Sequence, residues 1–200
     1  MEIIITDLTR FKNQEMVCTA GVTDDGTVIR PMPYLPSARC QELDVHPGGI
    51  LIGDFTIKNS AAPHIEDAAF KNLKFKKGSS EEFRKALELT CYPSMSDGFG
   101  AEVTEREKCI SIKAAPIRSL ITIKVDPKTF SIVRDNYDAK KLKAHLSDPT
   151  GTKLSYVSVT DRGFWDFAQK TVVDAGKVAE INRFIHSQDE LFLRLGLSRA

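Results

Sequence analysis

Apolar residues along this chain gather in short bursts bounded by Gly, Pro, Asn and Asp, and several bursts alternate apolar with polar positions. That is the period of two expected of strands rather than the 3.6-residue period of helices. Ile3-Ile4-Ile5 opens a first strand, Met16 to Val22 makes a second, and Thr27 to Arg30 returns as a third across the Asp-Gly hairpin signal Thr23-Asp24-Asp25-Gly26. Pro31 and Pro33 stop it, because proline offers a ladder no amide donor. Pro31 to Pro47 reads as an irregular loop, and Gly48-Gly49 leads into a strand from Ile50 to Ile57. Residues 80–90 (SEEFRKALELT) predict the first helix, with Ser80 as N-cap, acids in the first turn and Phe83, Ala86, Leu87 and Leu89 on one face. Cys91 to Gly100 reads as a loop or linker.

The second half repeats the style. Ser119 to Val125 predicts a strand, Asp126-Pro127-Lys128 a turn, and Thr129 to Arg134 the partner strand of a second hairpin. Asp138 to Leu146 reads as a short helix, Leu154 to Thr160 as a strand, Phe164 to Thr171 and Val178 to His186 as helices, and Leu191 to Leu195 as a last strand. No sequence repeat is strict, and the β–α–β alternation of a doubly wound sheet is absent. What recurs is a strand–hairpin–strand pattern with one helix in each half of about 100 residues, the size of a five-stranded Greek-key barrel of the OB type. The expected fold class is therefore mainly β with α elements (β-rich α+β), as two OB-like Greek-key barrels in tandem. Residues 1–114 would form the first barrel with an inserted helix, and residues 115–200 the second with a C-terminal helix and strand.

Composition changes this picture little. The 200 residues are 42% hydrophobic and 28% charged, an ordinary globular balance. Lys+Arg 28 against Asp+Glu 27 leaves +1, so no whole-molecule field draws in nucleic acid or an anionic membrane, and such a partner needs a local patch. The first 100 residues carry 11 basic and 14 acidic side chains, the second 100 carry 17 and 13, so the basic half is the second. The start lacks a basic region followed by a long apolar one, and no uninterrupted apolar stretch reaches about 18 residues, so neither a signal peptide nor a membrane span is expected and a cytoplasmic location is. Cys18, Cys40, Cys91 and Cys109 form no CxxC pair and read as reduced, buried thiols.

The most distinctive segment is Cys18-Thr19-Ala20-Gly21-Val22-Thr23-Asp24-Asp25-Gly26-Thr27-Val28-Ile29-Arg30-Pro31. Arg30 sits where a strand leaves the sheet, and its planar fork would suit a phosphate at a barrel mouth or, equally, a structural salt bridge with a loop carboxylate. This run, Ser158-Val159-Thr160-Asp161-Arg162-Gly163-Phe164 and Leu193-Arg194-Leu195-Gly196-Leu197-Ser198-Arg199, in that order, resemble three landmarks of the dual OB-containing domain family. The resemblance implies two OB-like barrels in one unit and association with nucleic acid, and it carries over Arg30, Asp161 and Arg199. The chain departs from the family pattern at Val28, where an aromatic is usual, at Arg162-Gly163-Phe164, where Leu-Arg-Phe is usual, and at Ala200, where proline is usual.

Asp161 could N-cap the helix that follows or orient Arg30 or Arg199 toward a ligand, and Trp165, the one tryptophan, could anchor that helix or stack on a base. Phe70 to Lys77 interleaves aromatics with Lys71, Lys74, Lys76 and Lys77, which suits a ribbon along a phosphate backbone or an edge strand guarded by lysines. The span Lys108 to Lys143 holds nine basic residues against Asp126, Asp135 and Asp138 and is the best candidate for an electrostatic footprint, with Arg118 and Lys124 inside it. His64 beside Glu66 and Asp67 could do acid–base work, or be a loop histidine bonded to its acidic neighbours. No GxSxG, HExxH, Walker loop or GxGxxG is present, and a dyad of Cys18 with His64 would rest on residue types alone.

The sequence thus points to non-catalytic binding of nucleic acid, a nucleotide or phosphate through Arg30, Lys74, Lys76, Lys77, Arg118, Lys124, Asp161, Arg162 and Arg199. His64, Glu66 and Asp67 form a separate polar cluster. No catalytic residue, metal or cofactor is assigned. A nucleic-acid- or nucleotide-processing enzyme centred on His64 and a protein-interaction subunit of a larger system are the alternatives.

Overall fold

Nine residues of β1 (Glu2–Arg10) serve two partners, and this sharing closes the first sheet on itself. Its opening residues Glu2, Ile3 and Ile4 pair antiparallel with β5 (Ile50–Ile57), while Ile4 to Arg10 pair antiparallel with β2 (Met16–Val22), with a register shift between Ile5 and Asp7. β2 turns into β3 (Val28–Pro31), which runs parallel to β6 (Asp67–Lys76), and β6 pairs antiparallel with β5. The result is a closed five-stranded barrel in the order β1-β2-β3-β6-β5-β1, with the two-residue β4 (Leu35–Pro36) added beside β2. The β2–β3 hairpin depends on Gly26, whose φ of +86° lies where a side chain would be strained. The structure, a computed structural model, describes residues 1–11, 13–105, 110, 112–138, 141–171 and 175–199.

Alternate residues point inward, and Ile3, Ile5, Leu8, Val17, Ile29 and Leu51 fill the barrel with almost no exposure. Each such side chain contributes roughly 1.5–3 kcal/mol on leaving water. The expected loop from Pro31 to Pro47 instead contains β4 and a short helix, α1 (Ser37–Glu42), which buries Cys40 against this core. α2 (Ser80–Leu89) starts one residue earlier than its predicted cap implied: the Ser79 hydroxyl accepts from the Glu82 N–H and the Glu82 carboxylate accepts from the Ser79 N–H, a capping box. The expected linker from Cys91 to Gly100 holds β7 (Cys91–Tyr92) and α3 (Met95–Phe99), the latter capped by the Ser94 hydroxyl and ended by Gly100 in the left-handed region.

Outside the barrel, β7 and the strands of the second half form two three-stranded sheets, and no strand pairing among the described residues joins them into a ring. In one, β8 (Leu120–Val125) lies between β7, parallel, and β12 (Leu191–Gly196), antiparallel. In the other, β10 (Leu142–Ser147) lies between β9 (Ser131–Arg134) and β11 (Lys153–Ser158). The predicted hairpin between β8 and β9 is thus corrected. Asp126 does cap a tight turn over Pro127–Thr129, but that turn carries the chain into the other sheet, because β7 and β12 already occupy both edges of β8. The helix predicted from Asp138 to Leu146 is corrected too: Leu142, Ala144 and Leu146 are buried and alternate with half-buried Lys143, His145 and Ser147, a period of two. Residues 139–140 lie outside the described residues. Met95, Phe99, Ile121, Ile123, Val125 and Leu146 make one core that spans both sheets. α4 (Arg162–Thr171) and α5 (Ala175–His186) pack Ala168, Phe164, Val178 and Ile181 on Ile132 and Leu142. Among the described residues no helix is long and apolar enough to cross a membrane.

Candidate functional site

Arg30 and Asp67 are register partners on the parallel pair β3–β6, so backbone pairing alone sets their side chains beside each other. Arg30 Nε donates to Asp67 Oδ1 at 2.8 Å, and the guanidinium is only 3% exposed. Its other arms leave the barrel. Nη1 donates to the Ser119 hydroxyl at 3.0 Å, just ahead of β8, and Nη2 lies 3.0 Å from His64 Nδ1 and 3.6 Å from Glu66 Oε2. The structure shows a salt bridge, to Asp67 at the start of β6 and to Glu66 in the loop before it: Arg30 is a buried bridge between the barrel and the second half, not an open fork at a barrel mouth.

Glu66 completes the bridge. Its Oε1 accepts the backbone N–H of Ser119 at 2.7 Å and of Leu120 at 3.0 Å, and its Oε2 accepts the Ser119 hydroxyl at 2.8 Å. Because a guanidinium nitrogen can only donate, His64 Nδ1 must accept from Arg30, which fixes a neutral imidazole with its proton on Nε2. His64 is bonded to the cation rather than to its acidic neighbours. Burial first, then the Arg199 and Arg30 charges, hold its pKa below the ordinary 6.5, against the opposing pull of Glu66 and Asp67.

Arg199 approaches the same carboxylate from the far end of the chain. Its Nη2 donates to both Asp67 oxygens, at 2.6 and 2.5 Å, and its Nε donates to Tyr34 Oη at 3.0 Å. Burial opposes ionisation of Asp67, but the hydrogen bonds from Arg199 and Arg30 outweigh it and keep the carboxyl below the ordinary aspartate value. The Tyr34 ring lies 4.6 Å from that of Phe11, centroid to centroid, tilted by 49°. Alongside, Arg194 of β12 grips Asp7 of β1 through Nε and Nη2 at 2.8–3.1 Å and reaches Thr122 with Nη1. Cys18 sits near these charges, and burial pushes its thiol up to about 11, so it is no nucleophile at neutral pH; no hydrogen bond among the described residues joins it to His64.

Two of the three sequence landmarks therefore meet at Asp67. Comparison with known protein families, curated proteins and solved structures finds no match to this chain. The third landmark lies nearby: Asp161 bridges to Thr9 of β1, and its Oδ1 accepts the Phe164 N–H at 2.6 Å, so it caps α4 and bonds to neither Arg30 nor Arg199 among the described residues. Packed protein around this carboxylate, which keeps an exposed edge, and then Asp7 and Asp166 hold its pKa above the ordinary value, against the Phe164 amide. Trp165 lies under the Arg10 guanidinium, 3.5 Å from carbon to ring centroid, tying α4 to β1.

The remaining expected cations go elsewhere. Arg162 faces Asp166 at 3.9 Å, Arg118 stacks on Tyr92 and donates to the Gly98 carbonyl, and Lys124 pairs with Glu190, which also holds Arg84. Lys76 pairs with Glu2, while exposed Lys74 and Lys77 have no ion pair among the described residues. Of the basic span, Lys108 and Lys140 lie outside the described residues; Lys124, Lys141 and Lys143 each meet a carboxylate. Among the described residues no three His, Cys, Asp or Glu side chains could hold a metal ion.

Sequence reasoning missed Ser119, Tyr34, Asp7 and Arg194. Asp7 and Arg194 carried a signal, each a lone charge inside an apolar strand. The His64 geometry predicts a pH dependence. The unfolded chain takes up the histidine proton near 6.5 and the folded chain only at lower pH. The stability held above about 6.5 is therefore lost as pH falls toward the folded pKa. Urea midpoints between pH 8 and 5 should fall more steeply for the wild type than for His64→Gln.

Proposed function

We propose that this chain is a non-catalytic binder of single-stranded nucleic acid or of a phosphate-bearing nucleotide, built on an OB-type barrel. The observation that carries this reading is the strand order. Counted within the barrel, the five strands close as 1-2-3-5-4-1 with strands 3 and 5 parallel, and a helix lies between strands 3 and 4. OB-type barrels take oligonucleotides across the loop joining strands 1 and 2 and the loop joining strands 4 and 5. Here the first of these loops begins at Phe11 and the second holds His64, and the Arg199–Tyr34–Asp67 cluster connects them. The second half borders the second loop through Ser119 on Glu66, and meets the end of β1, just ahead of the first, through Asp161 on Thr9. The chemistry favours binding over turnover, since the thiol is protonated and the imidazole lone pair is committed to Arg30.

Exposed Lys74 and Lys77 add a nonspecific attraction along β6 and beyond its end. Fluorescence anisotropy with labelled single-stranded DNA, single-stranded RNA and duplex at two salt concentrations tests the proposal. Single strands should bind more tightly than duplex, with log K falling against log salt by about 0.7 per phosphate engaged. Replacing Lys74 and Lys77 together with Gln should flatten that slope. Absence of binding to every probe at low salt would overturn the reading.

A further inference from the structure

Donor bookkeeping separates the two arginines of the cluster. Arg30 is buried, and each of its three nitrogens has a protein partner. Arg199 is 36% exposed at its side chain and spends Nε on Tyr34 and Nη2 on Asp67, which leaves Nη1 with no hydrogen-bond partner among the described residues. His64 is half-buried, and its Nε2–H, on the ring edge away from Arg30, likewise has no partner among the described residues. Both donors belong to groups that touch the Arg30–Asp67 pair, and the Arg199 charge acts on the His64 ring, so the two belong to one cluster. Half-buried Tyr34 is tethered to Arg199 by its hydroxyl and backed by half-buried Phe11.

Resting on the binding reading above, we propose that Arg199, His64 and Tyr34 form a subsite for one nucleotide unit, with its phosphate between Arg199 Nη1 and His64 Nε2–H and its base on the Tyr34 ring that Phe11 supports. A guanidinium and an imidazole N–H are both suited to phosphate oxygens, and every base has a face that an aromatic ring can stack. Arg30 serves the subsite as a positioning residue, holding the His64 tautomer and the Asp67 carboxylate that orients Arg199. Two guanidinium groups here face two carboxylates across a neutral imidazole, so the site draws on directed donors and stacking more than on a long-range field. Binding of a single nucleotide is accordingly less salt-dependent than binding of a longer strand that also reaches Lys74 and Lys77.

The test titrates a fluorescein-labelled eight-nucleotide single-stranded DNA and displaces it with AMP, adenosine or inorganic phosphate. AMP should compete better than either of its parts. Tyr34→Leu should raise Kd about tenfold, within the range for a base on an aromatic face. Tyr34→Phe should stay within about twofold; a role confined to the hydroxyl contact with Arg199 would instead make the two variants equally weak, since both lose that hydroxyl. Arg199→Gln should weaken binding about tenfold and erase the preference for AMP over adenosine; if near-UV circular dichroism shows that this variant does not fold, the two Tyr34 variants decide. Wild type that binds the oligonucleotide while Tyr34→Leu and folded Arg199→Gln bind it equally well overturns the subsite and leaves the nucleic-acid reading standing. Wild type that binds neither oligonucleotide nor AMP overturns both.

Discussion

Arg30→Ala is expected to lower the free energy of unfolding by about 3–5 kcal/mol, the range for removing one partner of a buried ion pair. The loss comes from what is left behind. Asp67 and Glu66 remain 4% exposed with only Arg199 as a countercharge, the Ser119 hydroxyl loses a donor, and the His64 lone pair faces an empty space. The intact pair need not stabilise by that amount, since desolvating both charges already costs much of their attraction. Arg30→Lys should recover only part of the loss, because one ammonium on a flexible stem cannot hold Asp67, Ser119 and His64 at fixed angles together. Urea unfolding of the three proteins measures this, and a loss below about 1 kcal/mol for Arg30→Ala would show that the network does not bind the halves. Any fall in ligand affinity in these variants then reports on placement of His64 and Asp67, since Arg30 has almost no surface left for a ligand.

Strand positions were legible where burial is one-sided and the ends are punctuated. Met16–Val22 and Ile50–Ile57 run between the residues that the apolar pattern and the flanking turns mark. Leu142–Ser147 was not legible as a strand, because Leu142 and Leu146 are four apart and satisfy a helical face as well as alternate strand positions. Turn chemistry at Asp126-Pro127 fixed a reversal but not a partner. Which strands lie beside β8 depends on β7 and β12, about 30 and 70 residues away in sequence, and no local signal encodes that.

The candidate site shows the same division. Arg30 came from its place at a strand end before proline and, with Asp161 and Arg199, from the family resemblance, whereas His64, Glu66 and Asp67 came from adjacency in sequence, as a separate group. The parallel register of β3 on β6 sets Arg30 beside Asp67, Arg199 joins them from beyond β12 through the same carboxylate, and Asp161 is left to cap a helix. Ser119 could not be picked out, since a serine ahead of an apolar strand is common, and its role exists only because Glu66 reaches it across the halves. Lysine counts misled for a related reason. Net charge over a span of sequence ignores Glu190 and Glu2, which fold back onto Lys124 and Lys76.

Glu66→Ala should be about as damaging as Arg30→Ala, again about 3–5 kcal/mol, but by a different route. The carboxylate satisfies two backbone N–H groups at the entry to β8 and the Ser119 hydroxyl, all of them buried or nearly so, and truncation leaves these donors unpaired beside an under-compensated Arg30. Glu66→Gln separates the terms. Its amide oxygen can still accept both N–H groups, while its NH2 faces Arg30 donor to donor, so a loss of about 1–3 kcal/mol is expected. Because both residues act through Ser119, their effects should not add: the double variant Arg30→Ala with Glu66→Ala should fall short of the sum of the single losses by about 1 kcal/mol or more. Trp165, the one tryptophan, reports on α4 and its contact with Arg10 of β1, and far-UV circular dichroism on the whole chain. Coincident transitions in the wild type that separate in Glu66→Ala would identify this carboxylate as the group that makes the halves unfold together. Additive single losses with coincident transitions in every variant would locate that coupling elsewhere, in the Arg194–Asp7 pair or the Arg10–Trp165 contact.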